Sequence, residues 1–379
     1  MPLIESTRYK WLCTGDEVFP AMLTAIRSAQ RSIRLETYIY SNDELGLKFR
    51  DALVEAGQRG VKVQVLIDAF GSLTLSTAFW QPLRAAGGEM RWFNPLLLKA
   101  PGFRDHRKML VCDEETAFVG GFNISANYLG DGVNSGWCDL GFQISSPLVS
   151  DLADAFDEMF ARAEFEHRPF MRLRRTLTRR EIKAEDGELL LSGPGRGHNP
   201  FKRHLRRDLA QAQTVRIIAA YFLPTRRIRR DLMRLARDGS RVQLILPEKS
   251  DVLLSQLACR SLYRRFLKAG IEIYEYTPQI LHAKLVVVDD TVYVGSSNLD
   301  PRSLRINYEL MLRFENRDLA AEARAVFEQK LNHCRRIELE AWRRSRNWWN
   351  KLQGRLAYFI LVRVDPLIAN WYYAHGSPE

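Results

Sequence analysis

The sequence predicts an α/β protein of two domains produced by duplication, and three observations predict it. A strand-helix-strand order recurs in the second half of the chain, one His-Lys-Asp spacing follows it in both copies, and an acidic helix closes each. All three fall in the same order.

In the first copy SIRLETYIY from Ser32 reads as a strand, residues 44–56 as a helix, and VKVQVLID from Val61 as a second strand. FWQPLRAAGG then reads as a helix stopped by Ala-Gly, and a short strand ends at Pro95. The second copy repeats this with TVRIIAAYFLP from Thr214, a helix over 229–237, VQLILP from Val242, YRRFLKAG, and a strand ended by Pro278. Each copy is a βαβαβ unit. HRKMLVCD at His106 and HAKLVVVD at His282 add a further strand, and SPLVSDLADAFDEMF and NRDLAAEARAVFEQK are the closing helices. A repeat this long exceeds any solenoid unit and describes whole domains. They occupy residues 1–170 and 201–335. A charged linker over 171–200 joins them, and a basic, aromatic tail over 336–379 has no counterpart after the first copy.

At 46% hydrophobic residues the composition excludes disorder, and the formal charge of +11 implies an anionic partner, either nucleic acid or an acidic membrane. Five scattered cysteines with no C-x-x-C pair read as reduced thiols in a cytosolic setting, Cys112 as a small apolar residue in a buried strand. The start MPLIESTRYKWL lacks a basic segment followed by an apolar run, and no apolar run reaches the roughly 18 residues of a membrane span, so neither a secretion signal nor a span is expected.

The chemistry lies in the repeated His-x-Lys-x-x-x-x-Asp: His106, Lys108 and Asp113, then His282, Lys284 and Asp289. On a strand, His and Lys two residues apart share a face, so each motif presents an imidazole beside an ammonium at the exposed start of a buried strand. Neighbouring cations, and the lack of cysteine or carboxylate spacing, argue against a metal; none is expected, nor any cofactor. One neutral imidazole can attack an electrophile while the other, protonated, supplies a proton to the leaving group. A phosphodiester suits the lysines and the amides of Asn123, in GGFN, and Asn298, in GSSN with Ser296 and Ser297. Asp139 in WCDLGFQI and Glu309 in INYELMLRF are placed to accept the second ring N–H of a histidine. His167, His198, His204, His333 and His375 have no partner pattern and read as surface residues.

The duplicated motif with its trailing G-S-x-N resembles the phospholipase D superfamily, over roughly residues 32 to 335. The resemblance implies two mixed sheets flanked by helices, related by a pseudo-two-fold axis with one site between them. It makes His106 the nucleophile that becomes phosphohistidine and His282 the general acid. Lys108, Lys284, Asn123 and Asn298 would bind phosphate, Asp139 and Glu309 would orient the histidines, and Asp113 and Asp289 would be required supports set back from the phosphate. Gly121 departs from the pattern, since the second copy has Ser296 there, and implies uneven phosphate contacts.

RLETYIY, HRKMLVCDEETAFVGGFNIS and VGSSNLDPRSLRINYEL further resemble bacterial cardiolipin synthases of the short type lacking two N-terminal membrane helices, as does the tail RRSRNWWNKLQGRLAYFILVRVDPLIANWYY. That resemblance implies phosphatidyl transfer between two phosphatidylglycerol molecules, giving cardiolipin and glycerol, by a peripheral enzyme on the cytoplasmic side of a bacterial membrane. The tail suits an anionic interface, with arginines before Trp348 and Trp349 and an apolar run over 356–362; a helix docked on the protein's own surface is the alternative. A phospholipase D hydrolase and a nuclease of the same superfamily remain the competing readings. Intact His106, Lys108, His282 and Lys284 oppose a retired, non-catalytic scaffold.

Overall fold

Strand-forming runs build two sheets whose central strands follow one another in the same spatial order. The computed structural model describes residues 8–94, 103–163, 179–194 and 198–365. The first sheet holds β1 (Tyr9–Leu12), β2 (Ser32–Thr37), β3 (Lys62–Asp68), β4 (Glu89–Phe93), β5 (Met109–Cys112), β6 (Thr116–Gly120) and β7 (Gly141–Ile144). The second holds β8 (Arg180–Lys183), β9 (Glu188–Ser192), β10 (Thr214–Ala219), β11 (Arg241–Pro247), β12 (Glu272–Tyr276), β13 (Lys284–Val288), β14 (Thr291–Gly295), β15 (Glu309–Glu315) and β16 (Cys334–Arg336). The orders are β1-β7-β6-β5-β2-β3-β4 and β16-β12-β11-β10-β13-β14-β15-β9-β8. β7-β6-β5-β2-β3-β4 therefore matches β15-β14-β13-β10-β11-β12. In each half three strands run parallel and the motif strand pairs antiparallel to the first of them, so both sheets are mixed.

Alternation along the strands separates three cores. Ile33, Val63, Val65 and Ile67 face the helices Gly15–Ser28 and Glu44–Gln58 on the outer side of the first sheet. Ile217, Leu244 and Ile273 do the same in the second. The inner faces share one core. Met109, Val111 and Phe142 meet Leu285, Val287 and Leu312 there, with Phe156 of the helix Leu148–Ala163 and Phe327 of the helix Arg317–Leu331. Each fully buried side chain of this size stabilises the fold by about 1.5–3 kcal/mol, so the halves are held together by apolar contact along the two acidic helices.

Several expectations change. Residues 180–192, read as linker, form a hairpin whose inner strand β9 pairs with β15, at the edge of the second sheet. Charge in REIK and AEDGE hides this in composition, because β8 is an outer strand and the turn is polar, while Leu189, Leu190 and Leu191 are buried on both faces. His204 is buried rather than at the surface, with its ring nitrogens 2.9 and 3.4 Å from Glu181 and Glu188 of that hairpin. All five cysteines are free, and Cys112 is buried in β5. Pro95, residues 171–178, residues 366–379, His167 and His375 lie outside the described residues.

Asp113 and Asp289 follow β5 and β13 at the ends away from the motif histidines. Each sits at positive φ, 57° and 49°, a conformation a short polar side chain tolerates. Asp113 accepts the backbone N–H groups of Gln30, Arg31 and Ser32 at 2.7–2.9 Å, and Asp289 those of Gln213 and Thr214 at 2.7–3.1 Å. Each thereby ties the start of β2 or β10 to the motif strand. Asp289→Ala is expected to lower unfolding stability by about 1–3 kcal/mol, read as a lower urea midpoint; an unmoved midpoint would show that these bonds contribute nothing.

Candidate active site

Where the sheets meet, the chain segments before the motif strands cross between halves. Asp105 forms a parallel bridge with Tyr308, and Leu281 one with Cys138. His106 N–H donates to Tyr308 C=O at 3.0 Å, and His282 N–H to Cys138 C=O at 2.7 Å. Each histidine is thus fixed by backbone of the other repeat, and the residues following those partners are Glu309 and Asp139.

The side chains complete the exchange. His106 Nδ1 lies 3.0 and 3.1 Å from the carboxylate oxygens of Glu309, and His282 Nδ1 lies 2.6 Å from Asp139 Oδ2. A carboxylate on Nδ1 takes that N–H and leaves Nε2 as the reactive nitrogen. Lys284 Nζ is 3.2 Å from His282 Nε2 and also donates to the His282 carbonyl oxygen; Lys108 Nζ donates to the carbonyl oxygen of His106 at 2.6 Å. Lys284 Nζ also comes within 2.9 Å of Nδ1, but the shorter carboxylate contact takes precedence there.

These groups were expected at an exposed strand start, yet none of His106, Lys108, His282 or Lys284 exceeds 9% exposure. Closure of one half over the other buries them. Burial pulls the His106 imidazole down to about 4, against the pull of Glu309, and lowers His282, where Lys284 adds to the effect and Asp139 opposes it. Lys108 falls to about 7 through desolvation, and Lys284 falls for the same reason. Burial also disfavours the charged carboxylates, but Lys284 and His282 outweigh it at Asp139, and His106 and Lys108 at Glu309, so both are held below the usual range. The site carries two carboxylates facing ammonium groups whose charge is weakly held.

The remaining predicted residues divide. Asn298 is buried with its Oδ1 unpaired, whereas Asn123 donates to Tyr128 Oη at 2.7 Å and accepts from Ile39 N–H. Ser296 Oγ donates to Glu309 Oε2 at 2.5 Å, and Ser297 Oγ to the Asn298 carbonyl oxygen. The Gly121 departure follows from this: a Cβ there would lie 2.1 Å from Asp139 Oδ1. The longer Glu309 is held by a serine hydroxyl, while the shorter Asp139 lies against bare backbone and accepts Leu140 N–H at 2.8 Å. The glycine thus makes room for the carboxylate of Asp139. Asp113 and Asp289 are not brought to the histidines.

Sequence reasoning missed an aromatic lining. Tyr38 lies 5.1 Å from the His106 ring, Tyr128 and Trp137 lie 5.6 and 5.8 Å from His282, and Tyr221 lies at 6.4 Å with its hydroxyl on Asp251. It also missed Glu36 and Asp105, a buried pair beside Lys108 whose counterparts in the second repeat are Ile218 and Leu281. Burial and Asp105 push Glu36 well above the carboxylate range; protonated, it supplies the donor that Asp105 Oδ2 otherwise lacks. The signal available in the sequence was the difference between repeats, carboxylates at Glu36 and Asp105 where the second has Ile218 and Leu281. Among the described residues the only three-residue grouping with metal-ligand types is Glu181, Glu188 and His204, where Arg203 pairs with Glu181, and Arg313 with Glu188 at 3.2 Å.

Comparison with known proteins places the chain in a family. The family described as "Cardiolipin synthase, PLD-like domain" matches residues 22–163 and 205–331. "Cardiolipin synthase B" of Salmonella typhimurium is 35% identical over 98% of this chain and 91% of its own length. "Cardiolipin synthase 1" of Bacillus anthracis is 32% identical over 97% of this chain and 74% of its own. The crystal structure of phosphatidylserine synthase from Haemophilus influenzae superposes with a TM-score of 0.75 at 20% identity, covering 96% of this chain and 95% of that one, a likeness of fold.

Two pH limits follow from the shifts. An imidazole can act as nucleophile only when neutral, so with His106 in that role kcat/KM is expected to rise as pH passes about 4; an ammonium can stabilise an anion only when protonated, so with Lys108 in that role kcat/KM is expected to fall above about 7. Lys108→Arg keeps its charge and should move the alkaline limb upward; a limb that stays in place assigns it to another group. Gly121→Ala is expected to displace Asp139 and lower kcat about 10- to 100-fold, and wild-type turnover would show that the carboxylate need not be so placed.

Proposed function

The chain belongs to the cardiolipin synthase family of phospholipase D-like phosphatidyltransferases, and on that premise we propose that it joins two phosphatidylglycerol molecules into cardiolipin and glycerol. The observation that supports this most is the pair of histidines, each held by the carboxylate of the other repeat, at one closed site flanked by two lysines.

His106 Nε2 attacks the phosphorus of the first lipid. The P–O bond to the headgroup glycerol breaks, His282 gives that oxygen its proton, and a phosphatidyl-histidine remains. Neutral His282 then takes the proton of a hydroxyl on the second lipid's headgroup. The freed oxygen attacks phosphorus, the P–N bond breaks, and both histidines return to their starting states. The low position of His106 suits a group that must stay neutral. Asp139 at 2.6 Å suits a group that must carry a proton, and an arriving phosphate anion adds negative charge that favours the imidazolium. Lys108, Lys284 and Asn298 stabilise the equatorial oxygens of the transition state, and Asn123 joins them when it releases Tyr128.

Among the described residues no helix is long and apolar enough to cross a membrane. The helix Trp348–Phe359 packs Gly354 and Ala357 on the helix Leu253–Arg260, and turns Trp348, Trp349, Leu352, Leu356 and Phe359 outward. Lys351 and Arg355 are exposed beside them. An apolar face with tryptophans and cations suits peripheral attachment to the anionic lipid surface that carries the substrate, on the cytoplasmic side of a bacterial membrane. Nucleic acid is the weaker use of the charge.

Incubation with phosphatidylglycerol vesicles is expected to give cardiolipin and equimolar glycerol. Phosphatidic acid alone would instead make the enzyme a hydrolase, and cleavage of single-stranded DNA without lipid turnover would make it a nuclease. His106→Ala should lower turnover at least about 10³-fold and abolish covalent labelling by substrate. Replacing Trp348 and Trp349 by alanine should weaken sedimentation with anionic vesicles; undiminished binding would make the helix a docked element only.

A further inference from the structure

Joining two phosphatidylglycerols brings two phosphates to one cleft, only one of which reacts. The acceptor's hydroxyl is three carbons and an oxygen from its own phosphorus, roughly 6 Å by standard bond lengths. A second anion site must therefore lie near the first, and the lysines of the motifs are committed to the reacting phosphate.

A carboxylate already marks such a place. Arg302, in SNLDPRS four residues after Asn298, holds Asp365 through two parallel bonds, Nε to Oδ2 at 2.8 Å and Nη2 to Oδ1 at 2.6 Å. This fork geometry serves carboxylate and phosphate alike. Arg302 sits in the short helix Pro301–Arg305, and its carbonyl oxygen accepts Ile306 and Asn307 N–H just before Tyr308 N–H bonds the Arg104 carbonyl. The helix is thus anchored beside the segment that carries His106. Burial and Asp68 raise the Tyr38 hydroxyl, while the guanidiniums of Arg104 and Arg302 oppose them, and the Tyr38 ring lies 5.1 Å from the His106 ring and 5.3 Å from Lys108 Nζ. Arg104 lies over the exposed Phe70 ring at 4.5 Å. Arg302 and the buried Arg104, which faces Asp68, thus lie one in each repeat on segments beside that of His106, outside the set that serves the reacting phosphate.

We propose that Arg302, with Arg104 beside it, binds the phosphodiester of the acceptor lipid, and that the carboxylate of Asp365 occupies this site when no acceptor is present. The assignment rests on the synthase reading and deepens it. Donor binding and attack use the two motifs; Arg302 selects what the phosphatidyl-histidine is passed to. An anionic lipid gains a two-point contact that water and neutral alcohols cannot make. The chain's own C-terminal segment competes for the same fork.

The test uses the full chain with phosphatidylglycerol vesicles and added ethanol, and reads the ratio of cardiolipin to products of transfer to water or ethanol. Arg302→Gln is expected to lower that ratio about tenfold, Arg104→Gln to lower it in the same direction, and Asp365→Asn to raise it about two- to threefold. Unchanged ratios in folded variants would overturn the assignment while wild-type cardiolipin formation keeps the synthase reading. Wild-type enzyme that makes only phosphatidic acid or phosphatidylethanol would overturn both. Inorganic phosphate in solution should leave the wild-type ratio unchanged; a fall to the Arg302→Gln level would make this a soluble-phosphate site and overturn the lipid assignment.

Discussion

Neither repeat can build its own active site. Each motif histidine takes its backbone hydrogen bond and its orienting carboxylate from the other half, so correct tautomers exist only when the halves are docked. The shared apolar core between the sheets therefore supports catalysis directly: Phe156, Phe327, Met109 and Leu285 hold the spacing that puts Asp139 at 2.6 Å from His282. A shift of a fraction of an ångström along that core would lengthen both His–carboxylate contacts together.

The same docking sets the electrostatics. Burial disfavours the protonated forms of the two imidazoles and of the two ammoniums, and the neighbouring ammonium charges add to the effect at His106, His282 and Lys108. Asp139 and Glu309 offset this without neutralising it. The two carboxylates are held ionised by these neighbours, and a bound anion would add to the negative charge that favours the protonated imidazole and ammonium forms. Under the proposed function, binding of the anion and protonation of His282 would be coupled through charge.

Duplication has left the halves unequal where their tasks differ. Glu309 is supported by Ser296, while Asp139 lies where Gly121 leaves room for nothing else. Beneath Lys108 the first repeat buries Glu36 and Asp105, where the second has Ile218 and Leu281. Tyr38 flanks His106, whereas Tyr128, Trp137 and Tyr221 surround His282. Such differences suit a pair of histidines of which one stays neutral and the other trades a proton.

Much of this was legible before any coordinates. Period-two strands, helix stops at Ala-Gly and two copies of one spacing identified the βαβαβ units and the motif residues, because these signals are local in the chain. Asp139 and Glu309 were also found, but their crossing between repeats was not, since partner choice across a pseudo-two-fold axis leaves no mark on either segment. The hairpin over 180–192 and the burial of His204 escaped for a related reason: composition averages a polar turn with three buried leucines and says nothing of what packs on them. Residue types and their order thus set which side chains this chain has available for chemistry. Docking of the two halves decided which histidine meets which carboxylate, how far their protonation is shifted, and which arginines lie on segments beside that of His106, because those depend on distances between segments that sequence spacing does not constrain.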